Sequence, residues 1–154
     1  MNIFITHGIG EGLTKLAAFD AALFDAGIAN YNLIKLTSII PPESKIIVGK
    51  LKWNKIEWGN KLYVVISSWV EEQFGEAVYV GLGWENEIKR GGIFVEHRGR
   101  TKKEVIDIIK KSLFSIKKYR LTKGKIEKKI VGIKCVDKPV CAIVAAVYKS
   151  EGWE

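Results

Sequence analysis

No apolar run in this 154-residue sequence is long enough to span a bilayer, and the opening Met-Asn-Ile-Phe-Ile-Thr-His-Gly is too short and too interrupted by polar residues for a secretory leader. A cytoplasmic protein without a membrane partner is therefore expected. Cysteine is scarce. Cys135 and Cys141 lie in strand-like sequence with no His or Cys at metal-ligand spacing, which argues against a zinc site and favours reduced, buried thiols over a bridge. Internal repeats, low-complexity tracts and linkers are absent, so the chain is expected to be one domain over residues 1–154, long enough to bury about two-thirds of its unfolded surface without metal or disulfide. A hydrophobic share of 47% beside 27% charged residues suits a soluble globule. A glycine-rich segment is present, Gly8-Ile-Gly-Glu-Gly12, but the third glycine of a dinucleotide fingerprint falls at Leu13 and no Gly-Lys-Ser/Thr closes a phosphate loop. The glycines are better explained by tight approach to a helix, with Thr14 as its cap.

Charge is one-sided. The net value is +8, and most of the excess lies between Arg98 and Lys134, from Lys102 and Lys103 through Lys110, Lys111, Lys117 and Lys118 to Lys128 and Lys129. No stacking aromatics are interleaved there. A solvated helix face and a nucleic-acid surface both remain open, the first favoured.

The segment most constrained by its own chemistry is Asn30-Tyr-Asn-Leu-Ile-Lys-Leu-Thr-Ser-Ile-Ile-Pro-Pro-Glu43. Its first half is strand-like, whereas Pro41 and Pro42 remove two backbone donors and hold Ile40 and Pro41 extended. Ser38 is thus placed where a strand meets a stiff turn. Its hydroxyl is a candidate nucleophile, although a Thr-Ser pair satisfying turn backbone explains the same residues.

Two carboxylates stand out. Between Leu13 and Ala26 a helix is predicted, closed by Gly27, with Leu13, Leu16, Ala17, Leu23 and Phe24 at the spacing of one buried stripe. Asp20 falls on that stripe, which calls for an internal cationic partner or a cleft receiving a cationic ligand. Glu96 ends the predicted strand Gly92–Arg98, and the alternation of a strand puts Glu96 and His97 on opposite faces.

The remaining sequence is expected to form strands at Asn2–Thr6, Lys61–Val70 and Gly75–Trp84, the last two as an antiparallel pair, with a turn at Glu85–Gly92. A second helix starts at Thr101 with Glu104 at capping-box spacing and buries Val105, Ile108, Ile109, Leu113 and Ile116. A closing hairpin, Ile126–Val136 and Val140–Tyr148, turns at Asp137-Lys-Pro139; its last strand is apolar on both faces and should be covered on both. The resulting fold class is α+β, a layered αββα-type sandwich of mixed sheets with two main helices.

Three separated segments, Gly8…Glu11-Gly12…Thr14…Leu16…Ala18-Phe-Asp20…Ala22-Leu23, Ala26 through Pro41-Pro-Glu43, and Val95-Glu96 with Gly99, resemble the pyruvoyl-dependent arginine decarboxylases, as does the closing Cys141-Ala…Ala145-Ala146. The likeness is dense from Gly8 to Glu43 and loose from Lys45 to Arg90. It implies an enzyme that makes its own cofactor: Ser38 attacks the preceding carbonyl, the ester eliminates and hydrolyses, and the chain parts between Thr37 and Ser38 with a pyruvoyl group in place of Ser38. Such chemistry asks for a serine at a distorted peptide bond and an oxyanion donor. The family commonly has serine at the position of Thr37, whose hydroxyl preserves the hydrogen bond. The resemblance further implies arginine bound as a Schiff base on the pyruvoyl group, with no pyridoxal phosphate and no metal, and agmatine and CO2 as products. In it Glu96 is the proton donor, held in a poorly solvated place; Asp20 takes the guanidinium; Asn32 orients substrate near the pyruvoyl group. Homotrimers or higher multiples, with sites between subunits, are implied as well. The alternatives are a basic α+β nucleic-acid-binding module whose Thr37–Ser38 bond stays whole, and a paralogue acting on another amino acid.

Overall fold

A computed structural model describes residues 1–154. Nine strands and two helices follow one another as β1 (Asn2–Glu11), α1 (Lys15–Asp25), β2 (Asn32–Lys35), β3 (Ile39–Ile40), β4 (Lys45–Val48), β5 (Lys61–Glu71), β6 (Ala77–Glu87), β7 (Gly91–Gly99), α2 (Lys102–Arg120), β8 (Ile126–Lys134) and β9 (Val140–Glu151). They make a five-stranded sheet ordered β2-β5-β9-β1-β4 and a four-stranded sheet ordered β3-β7-β6-β8. The first contains parallel pairs, β1 with β4 and β2 with β5, beside antiparallel ones, while the second is antiparallel throughout. Helix α1 covers the outer face of the first sheet and α2 that of the second, which is the expected αββα sandwich.

The reason for two covered faces is visible in β9, at the centre of the first sheet. Ala142, Val144 and Ala146 point between the sheets toward Ile3, Ile5, Val80 and Leu82, whereas Cys141, Ile143 and Ala145 point toward α1. A period of two with both faces apolar therefore forms half of two cores. Two expected pairings are overturned. Strands β5 and β6 belong to different sheets, as do β8 and β9, so neither pair is a hairpin. Alternation within each strand shows only that a face is buried; the partner is set by the turn from one sheet to the other, which periodicity does not encode. The expected turn at Glu85–Gly92 is shorter, since β6 continues to Glu87 and buries Glu85 completely.

Strand β1 also runs past Thr6 to Glu11 and carries the glycines with it. A Cβ at Gly8 would lie 2.1 Å from the Ala22 carbonyl oxygen, and one at Gly10 would lie 2.4 Å from the Ala22 nitrogen. The bare strand thus admits α1 at close range, and Ala18, Ala22 and Ala26 become its buried face. This is the tight approach foreseen for the glycines, and Thr14 caps the helix by accepting from Ala17 N at 3.1 Å. The expected buried stripe, however, mostly faces outward, with Leu23 its one buried member. Leu16 lies about 200° around the helix from Ala18, and Leu13, Leu16 and Phe24 are 84%, 76% and 65% exposed.

Helix α2 matches its sequence closely. Thr101 accepts from Glu104 N, the Glu104 carboxylate takes Arg100 N, and Val105, Ile109 and Leu113 are buried against β6 and β7. Ile108 is more exposed than expected, and Ile116 packs at the margin of the core. No helix is long and apolar enough to cross a membrane.

Candidate active site

Ser38 lies where the chain leaves one sheet for the other. Strand β2 ends at Lys35 in the five-stranded sheet and β3 begins at Ile39 on the edge of the four-stranded sheet, so Leu36-Thr-Ser38 crosses between the layers. The crossing is held at each peptide. Leu36 N donates to the Val64 carbonyl, Ile39 N to the Thr37 carbonyl, and Phe94 N to the Ser38 carbonyl, each at 2.8 Å. The second of these closes a three-residue turn about Ser38. Neither Thr37 nor Ser38 has positive φ, and these three hydrogen bonds fix the path of the crossing. Beyond β3, Pro41 and Pro42 end the pairing, and Glu43 takes a left-handed φ of 59° while donating its N–H to the Ile88 carbonyl. Gly91 lets the neighbouring strand reach this turn, since a Cβ there would meet the Ile40 carbonyl oxygen at 2.3 Å.

Glu96 meets Ser38 from β7. The Ser38 hydroxyl donates to Glu96 Oε1 at 2.6 Å, a short bond of the charge-assisted kind. The antiparallel register explains the encounter: Ile39 pairs with Ile93, and the opposite direction of β7 carries Glu96 back alongside Ser38. His97 points the other way, as strand alternation requires, with Nε2 2.7 Å from Ser112 Oγ on α2; burial pulls its imidazole pKa down. A groove of about 360 Å³ opens beside Glu96 and is lined by Lys35, Ser67, Ser68 and Arg98 among others. That volume is in the range of small-molecule sites, roughly 300–1,000 Å³.

The other expected site residues are not gathered here. Asp20 is exposed on the outer face of α1, and no lysine or arginine of its own chain pairs with it. The expectation of burial fails because the stripe it shares with Leu16 and Phe24 is the face turned from the sheet. Asn32 is exposed at the start of β2, and its amide donates to the Gly59 carbonyl at 2.7 Å instead of reaching Ser38. Glu96 is itself exposed, so the chain alone does not supply the poorly solvated place expected of it.

One residue at the site was missed. Tyr148 on β9 sends its hydroxyl across the interlayer space to the Ile39 carbonyl, at 2.8 Å. Its ring packs edge-on against Phe94 at 6.4 Å between centroids. Burial, and then the charge of Glu96, raise the phenol pKa well above its ordinary value, so it stays a donor. In sequence it ends a strand of small apolar residues, where only its polar tip hinted at a partner. The lysines of α2 lie away from this site: Lys102, Lys103, Lys110, Lys111 and Lys118 are exposed on the outer face of the helix.

The family model for pyruvoyl-dependent arginine decarboxylase matches residues 2–152. Among individual proteins, the chain is 35% identical over 142 residues to the pyruvoyl-dependent arginine decarboxylase of Pyrococcus furiosus, covering 89% of this chain and 87% of that one. It is 33% identical over 105 residues to that of Thermoplasma volcanium, covering 66% and 58%. With the Methanothermobacter thermautotrophicus protein it shares 41% over 78 residues, covering 51% and 49%. The chain thus spans about half the length of the last two relatives and most of the first. With the match running almost from end to end, the chain belongs to the pyruvoyl-dependent arginine decarboxylase family.

Proposed function

We propose that this protein is a self-processing decarboxylase, one domain over residues 1–154, that converts L-arginine to agmatine and CO2. The observation that carries the reading is the Ser38 hydroxyl, bonded to Glu96 at 2.6 Å while the carbonyl it would attack, that of Thr37, already accepts Ile39 N–H at 2.8 Å. Nucleophile, base and oxyanion donor are therefore supplied by two contacts at one turn. Glu96 takes the hydroxyl proton as Oγ adds to the Thr37 carbonyl, and the Ile39 amide stabilises the oxyanion. Collapse breaks the Thr37–Ser38 C–N bond, passes the proton to the departing Ser38 nitrogen and leaves an ester between Thr37 and Ser38 Oγ. Loss of the Ser38 Cα proton to base, with cleavage of Cβ–Oγ, frees Thr37 as a carboxylate. The developing charge spreads onto the Ser38 carbonyl oxygen, which Phe94 N–H holds at 2.8 Å. Tautomerisation and attack of water release ammonia and leave a pyruvoyl group at position 38.

The residues fit that group, because after cleavage Glu96 and the Phe94 amide remain at position 38. Once formed, the pyruvoyl group supplies an electrophilic carbonyl that binds an amine and accepts the electrons left by departing CO2. Glu96 stands at the reacting centre to return a proton, and Asn32 orients substrate. Asp20 binds the guanidinium by a bidentate contact. Asp20 does so from a neighbouring subunit in a homotrimer with sites between subunits, a reading supported by its exposure amid Leu13, Leu16 and Phe24. Covering Glu96 by a neighbour would also exclude the water its own chain admits. The buried thiols of Cys135 and Cys141 agree with a cytoplasmic enzyme.

Denaturing mass spectrometry with an agmatine assay tests the reading. Wild-type protein should give fragments 1–37 and 38–154, the second with a pyruvoyl end, and should make agmatine. Ser38→Ala should be intact and inactive. An intact wild-type chain that makes agmatine overturns the proposal.

A further inference from the structure

We propose that Tyr148 is the positioning residue for self-cleavage, its hydroxyl clamping the strand that follows the scissile bond so that Ser38 is held between Glu96 and the Thr37 carbonyl. The proposal rests on the reading above. Strand β3 has only two residues and lies on an open sheet edge, paired through Ile39 with Ile93 and Ile40 with Gly92. Pro41 and Pro42 follow it and donate nothing. So short an edge strand would fray, and with it the Ile39 N–H and Ser38 carbonyl that define the reactive turn. The Tyr148 hydroxyl supplies the missing restraint by donating to the Ile39 carbonyl at 2.8 Å.

The clamp comes from the other layer. Tyr148 stands on β9 of the five-stranded sheet, and the carbonyl it holds is on the edge of the four-stranded sheet. Its ring is locked against Phe94, the residue whose backbone N–H holds the Ser38 carbonyl, so the two contacts around Ser38 share one support. The hydroxyl does not touch the scissile carbonyl. It acts through Ile39, and no new covalent step is added.

Tyr148→Phe keeps the ring and deletes only the donor. Cleavage of newly synthesised chain is followed by acid quench and denaturing mass spectrometry, with hydroxylamine added in a parallel reaction to cut any accumulated ester. Cleavage should slow roughly five- to tenfold, the effect of losing one neutral hydrogen bond, and hydroxylamine should not restore it, because the slowed step precedes the ester. Slowing by less than about threefold, or full rescue by hydroxylamine, overturns the proposal. Should Tyr148→Phe also lower the thermal midpoint, the core variant Val144→Ala decides: equal slowing in both, at equal instability, refutes a positioning role, and slowing in Tyr148→Phe alone supports it. An uncut wild-type chain instead refutes self-cleavage itself.

Discussion

Replacing Glu96 by Gln isolates proton transfer from shape. The glutamine side chain preserves the length of the carboxylate, and its carbonyl oxygen still accepts from the Ser38 hydroxyl now held at 2.6 Å. It does not take the proton. General-base assistance contributes about 10²–10⁴ in rate, and the lower end applies here, because Glu96 is exposed and water reaches Ser38 as a substitute base. The expected slowing of self-cleavage is therefore about 100-fold, or about 2.7 kcal/mol of transition-state stabilisation. Cell-free synthesis with quenched time points gives the rate from the decay of intact chain into fragments 1–37 and 38–154. The thermal midpoint should stay within the range of an ordinary surface substitution, about 0.5 kcal/mol, so folding does not confound the rate. Glu96→Gln cleaving within about threefold of wild type would refute the assignment of Glu96 as base, and the proton would then have to go to solvent.

Three further outcomes follow from named contacts. Asp20→Asn should cleave at the wild-type rate, since Asp20 is on the outer face of α1, yet show KM for arginine raised about tenfold or more from the lost charge-assisted contact; an unchanged KM would make Asp20 a surface residue only. Lys117→Met should cost roughly 2–3 kcal/mol in urea denaturation, less than a fully buried pair because Lys117 is 32% exposed. That variant strands the fully buried Glu85 with Thr122 as its hydrogen-bond donor, and Glu85→Gln on the same background should recover most of the loss; wild-type stability in Lys117→Met would exclude this ion pair as a support of the α2 terminus. The carboxylate of Glu151 is pulled down from 4.5 to about 2 by hydrogen bonds from Lys149 and then Lys61. Its folded value lies below its unfolded one, so the stabilisation is complete above about pH 4.5 and is lost as pH falls toward 2. Urea midpoints measured across that window should fall less steeply in Glu151→Gln than in wild type, and identical slopes would exclude the contribution.

Much of the site was legible because its chemistry is local. The two prolines after Ser38, the hydroxyl pair before them and the alternation that separates Glu96 from His97 are properties of short segments, and each survives in the folded chain. So do the capping pair at Thr101 and Glu104, the two-faced β9 and the close approach at the glycines. The burial of Asp20 was misjudged because helical period reveals a stripe without its direction. Direction came from Gly8 and Gly10, which have no side chain to register in a hydrophobic pattern but admit the alanine face of α1.

Local order in the sequence therefore determined the elements, the stiff turn beyond Ser38 and the family to which the chain belongs. Only the tertiary structure decided which strands share a sheet, and with it the contacts of Glu96 with Ser38 and of Tyr148 with Ile39. Glu96 is 58 residues from Ser38 and Tyr148 is 109 from Ile39. Such meetings depend on sheet register and on packing between layers, which no short-range period records.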